Sequence, residues 1–246
     1  MKERTSNKHR AAAWLLAALG SLLGGGAVQA ATLVHDYQFN GTLLDALGGP
    51  ALVSMGGELA SQPGRYHFDR NQGLQLSNGL VDPRVWSLEF RVSYESLAGT
   101  WNKLIDFQDL SLDGGLYFES GHMQYYPAKA GVDSAPTGSD FTMVLTRDEH
   151  DVLRGYLNGV KQWTLSDSPE QGSVSLANRL HFFVDDHQSD QREAQGGSID
   201  FLRVYDGVLS DAQIAGVPTS PVPEPGSFAL LSAGLLALGV ARRRRA

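Results

Sequence analysis

The side chains able to do chemistry cluster in a few short stretches, the densest being Asp185-Asp186 with Gln188, Asp190 and Glu193 ahead of Gly196-Gly197. Calcium takes six to eight hard oxygens, and a polar loop carrying several carboxylates can supply them. Asp185, Asp186 and Glu193 are therefore read either as a calcium site or as an acidic loop solvated without an ion. Asp36 and Asp200 are a second acidic pair, each inside a mostly apolar stretch, where a buried hydrogen-bonded pair explains them as well as an ion does. Asp148-Glu149-His150-Asp151 could ligate a metal, but a solvated turn accounts for the same residues. Tyr125, Tyr126 and Trp101 are candidates for stacking on sugar faces. Successive strand residues face opposite ways, so at most one of the two tyrosines joins the core through its strand.

Catalysis finds less to work with. Glycosidic cleavage uses two nearby carboxylates, one as acid and one as nucleophile or base. No Glu-x-Asp-x-x-Glu run is present, nor a Gly-x-Ser-x-Gly elbow, a His-Glu-x-x-His helix or a phosphate-binding Gly-x-x-x-x-Gly-Lys loop. There is no cysteine to act as nucleophile or to form a disulfide. A scattered pair such as Glu89 with Glu119 is the remaining enzyme reading, and the expectation is a chain that is not an enzyme.

Strands must position these side chains. Trp86, Leu88, Phe90 and Val92 alternate with Ser87, Glu89 and Arg91, the pattern of a strand with one buried and one wet face. Similar runs lie at 33–39, 73–76, 104–107, 116–118, 123–126, 141–146, 153–157, 160–163, 180–184 and 198–205, separated by turn-forming glycine, proline, asparagine and aspartate. Asn158-Gly159 marks a tight hairpin. Ser210 with Gln213 predicts one capped helix, closed by Gly216 and Pro218, with Ile214 packed back on the sheet. Many short strands and no long helical pattern predict an all-β fold, an antiparallel sandwich. Trp86 and Trp163 are read as core.

The two ends read as addresses rather than fold. Residues 1–30 have the layout of a secretory signal peptide, with Lys2, Arg4, Lys8 and Arg10 before an apolar core and cleavage expected after Ala30. At the other end, residues 218–225 form a proline-rich linker ending in Val222-Pro223-Glu224-Pro225. An apolar run at 226–241 follows, then Arg242, Arg243, Arg244 and Arg245, a cytoplasmic stop by the positive-inside rule. These ends hold eight of the 20 basic and two of the 27 acidic residues, so the body keeps 12 basic against 25 acidic. Such an acidic body excludes nucleic acid as a partner and suits calcium or neutral glycans better. Residues 31–217 are long enough for one domain with a proper core.

The order Val222-Pro223-Glu224-Pro225, apolar span, arginine cluster resembles the PEP-CTERM sorting signal of Gram-negative bacteria. The resemblance implies export, transient anchoring in the inner membrane through 226–241, cutting by an exosortase near the motif, and release to the cell surface or an exopolysaccharide matrix. Arg147-Asp148, Gly155-Tyr156-Leu157-Asn158-Gly159, the closing run from Ile199 to Ile214 and the opening Tyr37-Gln38-Phe39-Asn40-Gly41-Thr42-Leu43 with Asp45 resemble the laminin-G-like, concanavalin A-like jelly roll. That family implies carbohydrate-binding or adhesive modules, often with calcium at the sandwich rim, and some glycan-cleaving relatives. Fold alone does not choose between them. The expectation is an exported, exosortase-sorted surface or matrix protein that binds carbohydrate without cleaving it, set against a purely structural matrix component and a glycan-cleaving enzyme.

Overall fold

The computed structural model describes residues 31–60, 64–97, 101–167 and 171–216. The signal segment, the linker with its sorting motif, the apolar run and the arginine cluster lie outside these described residues. In chain order the strands are β1 (Thr32–Tyr37), β2 (Val53–Met55), β3 (Glu58–Leu59), β4 (Tyr66–Phe68), β5 (Gly73–Ser77), β6 (Trp86–Tyr94), β7 (Trp101–Asp106) and β8 (Gly115–Glu119). They continue with β9 (His122–Tyr126), β10 (Lys129–Ser134), β11 (Phe141–Arg147), β12 (Val152–Leu157), β13 (Val160–Ser166), β14 (Arg179–Phe182) and β15 (Gly197–Asp206), before the short helix α1 (Asp211–Ile214).

Two antiparallel sheets form a jelly-roll sandwich. Sheet A runs β13-β12-β11-β6-β15-β4-β3, and sheet B runs β10-β9-β8-β7-β14-β5-β2. The first and last strands are neighbours: β1 pairs with the Leu202–Asp206 half of β15 and β4 with its Gly197–Ile199 half. Trp86, Leu88, Phe90 and Val92 of β6 face Leu104, Leu116, Phe118 and Phe182 of sheet B across one continuous apolar core. Burying each such large side chain contributes about 1.5–3 kcal/mol, which is how a cysteine-free body holds together.

The local signals read from the sequence are realised. Asn158 and Gly159 take φ of 48° and 80°, as a tight hairpin requires. Ser210 and Gln213 cap α1 reciprocally, and Ile214 packs against the small cluster of Val144, Tyr156 and Leu209. Trp86 and Trp163 are core. Strands β2, β3, β4 and β10 escape the alternation pattern, being too short or too polar for it to register.

Sheet B has register shifts in β7 and β10 and a further irregularity at the end of β14. The chain leaves β14 through Phe183 at φ 68°, so Phe182 and Phe183 both enter the core instead of alternating. Phe183 stacks on Phe68 at 4.2 Å, an anchor that secures this unfavourable conformation for a bulky residue. The next residues, Val184 to Asp186, then pass over the outer surface of sheet B.

Candidate functional site

On β7, β8 and β9 the core takes Leu104, Leu116, Phe118, Met123 and Tyr125. Register places Lys103, Tyr117 and Gln124 side by side on the opposite, outer face. Trp101 opens β7 and Tyr126 ends β9 on that same face. Their rings meet edge to face at 5.0 Å, and the Tyr117 ring completes the group at 5.6 Å from Trp101 and 6.1 Å from Tyr126. Trp101, Asp113, Tyr126 and Glu193 line a cleft of about 80 Å³.

Two loops close over this face. The 107–114 loop brings Asp113, whose carboxylate accepts from the Tyr117 hydroxyl at 3.1 Å. The 183–196 loop is pinned to β7 where the Lys103 amide donates to the Glu193 carbonyl at 2.6 Å. It is tied to the first loop as well, since Gln188 Nε2 donates to the Ser111 carbonyl at 2.7 Å. Within it, Asp185 accepts from Ser189 Oγ at 2.6 Å and from the Glu193 amide at 2.8 Å, while Asp186 accepts from the Gln188 amide at 2.7 Å.

Beneath the cleft lies a buried charge cluster. The Lys103 ammonium is fully enclosed, 2.9 Å from Asp186, 3.4 Å from Asp106 and 2.6 Å from the Tyr117 hydroxyl, and it stands 4.5 Å from the centre of the Tyr117 ring. Burial works against ionisation of Asp186, but hydrogen bonding and charge attraction from Lys103 hold its carboxyl below the ordinary value. Burial, then the charges of Asp186 and Asp113, push the Tyr117 phenol far above its usual range. Glu193 is pushed up from 4.5 to about 7, by burial first and then by Asp185, Asp113 and Asp186, with Lys103 opposing.

These contacts bear on the calcium expectation for Asp185, Asp186 and Glu193. Asp185 orders its own loop, and Lys103 supplies a countercharge to Asp186. Among the described residues no group of three or more His, Asp or Glu is arranged to hold a metal. Tyr125 is corrected as a stacking candidate: it is 1% exposed, packed on Phe107 and Trp163, because β9 alternates it with Tyr126 into the core. Trp101 and Tyr126 are brought together as sugar-stacking candidates. Asp113, Tyr117 and Lys103 were missed, and only the alternation of Trp101, Lys103 and Tyr117 with core residues could have found them.

The other acidic candidates separate. Asp36 bonds Arg203 at 3.2 Å and Asp200 lies 3.7 Å from Arg91, so each aspartate meets an arginine rather than its fellow. Glu89 is on β6 of sheet A and Glu119 on β8 of sheet B, in different layers. Asp148 accepts from the amides of His150 and Val152 and pairs with Arg154 at 2.8 Å, which makes the 148–151 stretch a turn. A larger cleft of about 940 Å³ opens beside Gly56, His67, Asp69 and Gly196. Phe68 and Tyr94 in its lining belong to the core, which leaves the exposed His67 as its one open ring among the lining residues.

Residues 221–245 match the family model described as the PEP-CTERM protein-sorting motif. No curated protein matches the chain. Among solved structures, domain 4 of AbnA, a GH43 extracellular arabinanase from Geobacillus stearothermophilus in complex with arabinotriose, aligns with a TM-score of 0.58 and 19% identity over 78% of this chain and 100% of that one. The botulinum neurotoxin serotype D ligand-binding domain in complex with N-acetylneuraminic acid aligns at 0.58 and 14%, over 76% of this chain and 50% of that one. Trypanosoma rangeli sialidase in complex with 2,3-difluorosialic acid aligns at 0.58 and 13%, over 74% and 32%. At these identities the likeness is one of fold: an antiparallel β-sandwich of jelly-roll type. The C-terminus is a sorting region, and its motif implies export and exosortase processing toward the cell surface or beyond.

Proposed function

We propose that the protein is a surface or matrix component that binds carbohydrate without cleaving it, through the cleft between Trp101 and Tyr126. The observation that carries this is the convergence of three mutually edge-on rings with Asp113 and Glu193 on the outer face of sheet B. Aromatic faces stack on the apolar side of sugar rings while carboxylates accept their hydroxyls, a combination that suits a polar, concave site. The solved relatives captured with arabinotriose and with N-acetylneuraminic acid lend the reading support at the level of fold. Retention of the protein on immobilised polysaccharides tests it. Binding should be lost in Trp101→Ala and Tyr126→Ala, and no new reducing ends should appear. Binding that ignores both substitutions rules out the cleft, and no binding to any glycan favours a structural component instead.

One observation favours a glycan-cleaving enzyme as the second reading. Glu193, pushed up to about 7, shares its loop with Asp186, which is held low, and such a split is how acid and base roles are divided. Release of reducing ends that stops in Glu193→Gln would establish that reading. Sorting is tested by replacing Pro223-Glu224-Pro225 with alanines. The altered chain should stay membrane-associated and uncut, and normal processing would contradict the role of the motif.

A further inference from the structure

The charge around the cleft is unbalanced. Asp113 and Glu193 line it, Asp185 and Asp186 act on Glu193 from the same loop, and Asp106 lies beside Lys103 behind them. Lys103 is the one cation in contact with this group among the described residues, and it is spent on Asp186 and Asp106. The nearby Arg192 pairs with Asp190 at 2.9 Å. One buried carboxylate oxygen, Asp185 Oδ1, has no hydrogen-bond partner, and Asp106 Oδ2 meets the Lys103 ammonium only at 3.4 Å, which marks a shortage of donors. A field of this sign repels anionic sugars such as sialic or uronic acids and attracts cations.

The rings add to this preference. An ammonium is favoured over an aromatic face, and Lys103 already places one over Tyr117 at 4.5 Å. Trp101 and Tyr126 contact that same ring from the cleft side. A cleft of about 80 Å³ is the size of a side group rather than of several sugar rings. We propose that the cleft receives the ammonium of an amino sugar, and that the ligand is a glycan bearing free amines, a de-N-acetylated hexosamine polymer. Asp113 and Glu193 would accept from the ammonium while Trp101 and Tyr126 flank it. The inference rests on the glycan-binding reading and narrows it to one chemical class.

Calorimetric titration of the full chain in detergent tests it, using hexamers of glucosamine, N-acetylglucosamine, glucose and galacturonic acid. The glucosamine hexamer should bind about tenfold or more tightly than its acetylated counterpart, the worth of one desolvated cation–π contact, and the galacturonate should not bind. Trp101→Ala and Glu193→Gln should each weaken the glucosamine hexamer by about tenfold. Glu149→Gln, which removes an exposed carboxylate on the 148–151 turn, should leave it unchanged. Affinity should fall as the pH is lowered through about 7 while Glu193 takes up its proton among Asp185, Asp113, Asp186 and Lys103. The amine only gains charge on that side, so its own titration cannot produce the fall. Equal affinity for the acetylated or glucose hexamers overturns the amine inference and leaves glycan binding standing. An equal loss in Glu149→Gln overturns it as diffuse charge attraction. Failure of every glycan, or Glu193-dependent binding of calcium alone, overturns both readings.

Discussion

Arg147 on sheet A and Lys103 on sheet B are both fully buried cations, yet their surroundings are opposite in character. Arg147 gives Nε to Asp167, Nη2 to Asp151, both at 2.8 Å, and Nη1 to the Arg84 carbonyl at 2.6 Å. Arg84 itself reaches Asp151 at 3.1 Å, so among the described residues two arginines meet two aspartates. Lys103 serves two carboxylates directly, with Asp113, Asp185 and Glu193 crowding the same loops, and burial together with these charges pushes Glu193 up to about 7. A closed network of this kind is structural. An open one beside a cleft leaves charge that a ligand can satisfy, and perturbed titration of this kind singles out a candidate site.

Four substitutions probe the contrast. Arg147→Met should be the most damaging, costing about 3–5 kcal/mol in urea unfolding because Asp167 is left buried without its cation, and glycan binding by the surviving folded protein should not change. Lys103→Met should cost about 3 kcal/mol at neutral pH. Asp186 is held below 3.8 when folded, so its pairing stabilises the protein above that pH and is lost as the pH falls through the lowered value. The gap between wild type and Lys103→Met, measured by unfolding at several pH values, should therefore narrow in acid.

Glu193 carries the opposite sign. Its folded value is raised from 4.5 to about 7, so the folded protein holds a proton that the unfolded chain has released, and stability declines as the pH climbs across that window. Glu193→Gln should abolish that decline and gain on the order of 1 kcal/mol at pH 8, after discounting for solvent screening. A decline that persists in the variant would place its origin elsewhere. Trp101→Ala should lower stability least, by about 1 kcal/mol, because the ring lies at the surface of sheet B, while removing most binding.

Much of the frame was legible because its causes are local. Alternation in Trp86 to Val92, the αL preference at Asn158-Gly159 and the reciprocal cap at Ser210 and Gln213 depend on neighbours a few residues apart. The site was half legible. Trp101, Tyr126 and Glu193 could be named by type, but the partner of Asp186 is Lys103, 83 positions away, and no local pattern announces it. Loops cover the outer face of sheet B, so Lys103 and Asp106 read as exposed polar residues while being buried. Calcium was expected for the same reason: the carboxylates along one loop are visible in the sequence, and the lysine that folding delivers to them is not. Tyr125 and Tyr126 are chemically alike, and only the parity of β9 against Phe118 and Leu116 separates core from cleft.

The indole N–H resonances of Trp86, Trp101 and Trp163 report directly on whether the cleft is where glycan binds, because two of these rings are core and one borders the cleft. In a ¹⁵N-labelled sample titrated with the glucosamine hexamer, the Trp101 signal should move in proportion to occupancy while those of Trp86 and Trp163 stay in place. Saturable glycan binding that leaves the Trp101 signal unmoved would contradict binding at this cleft.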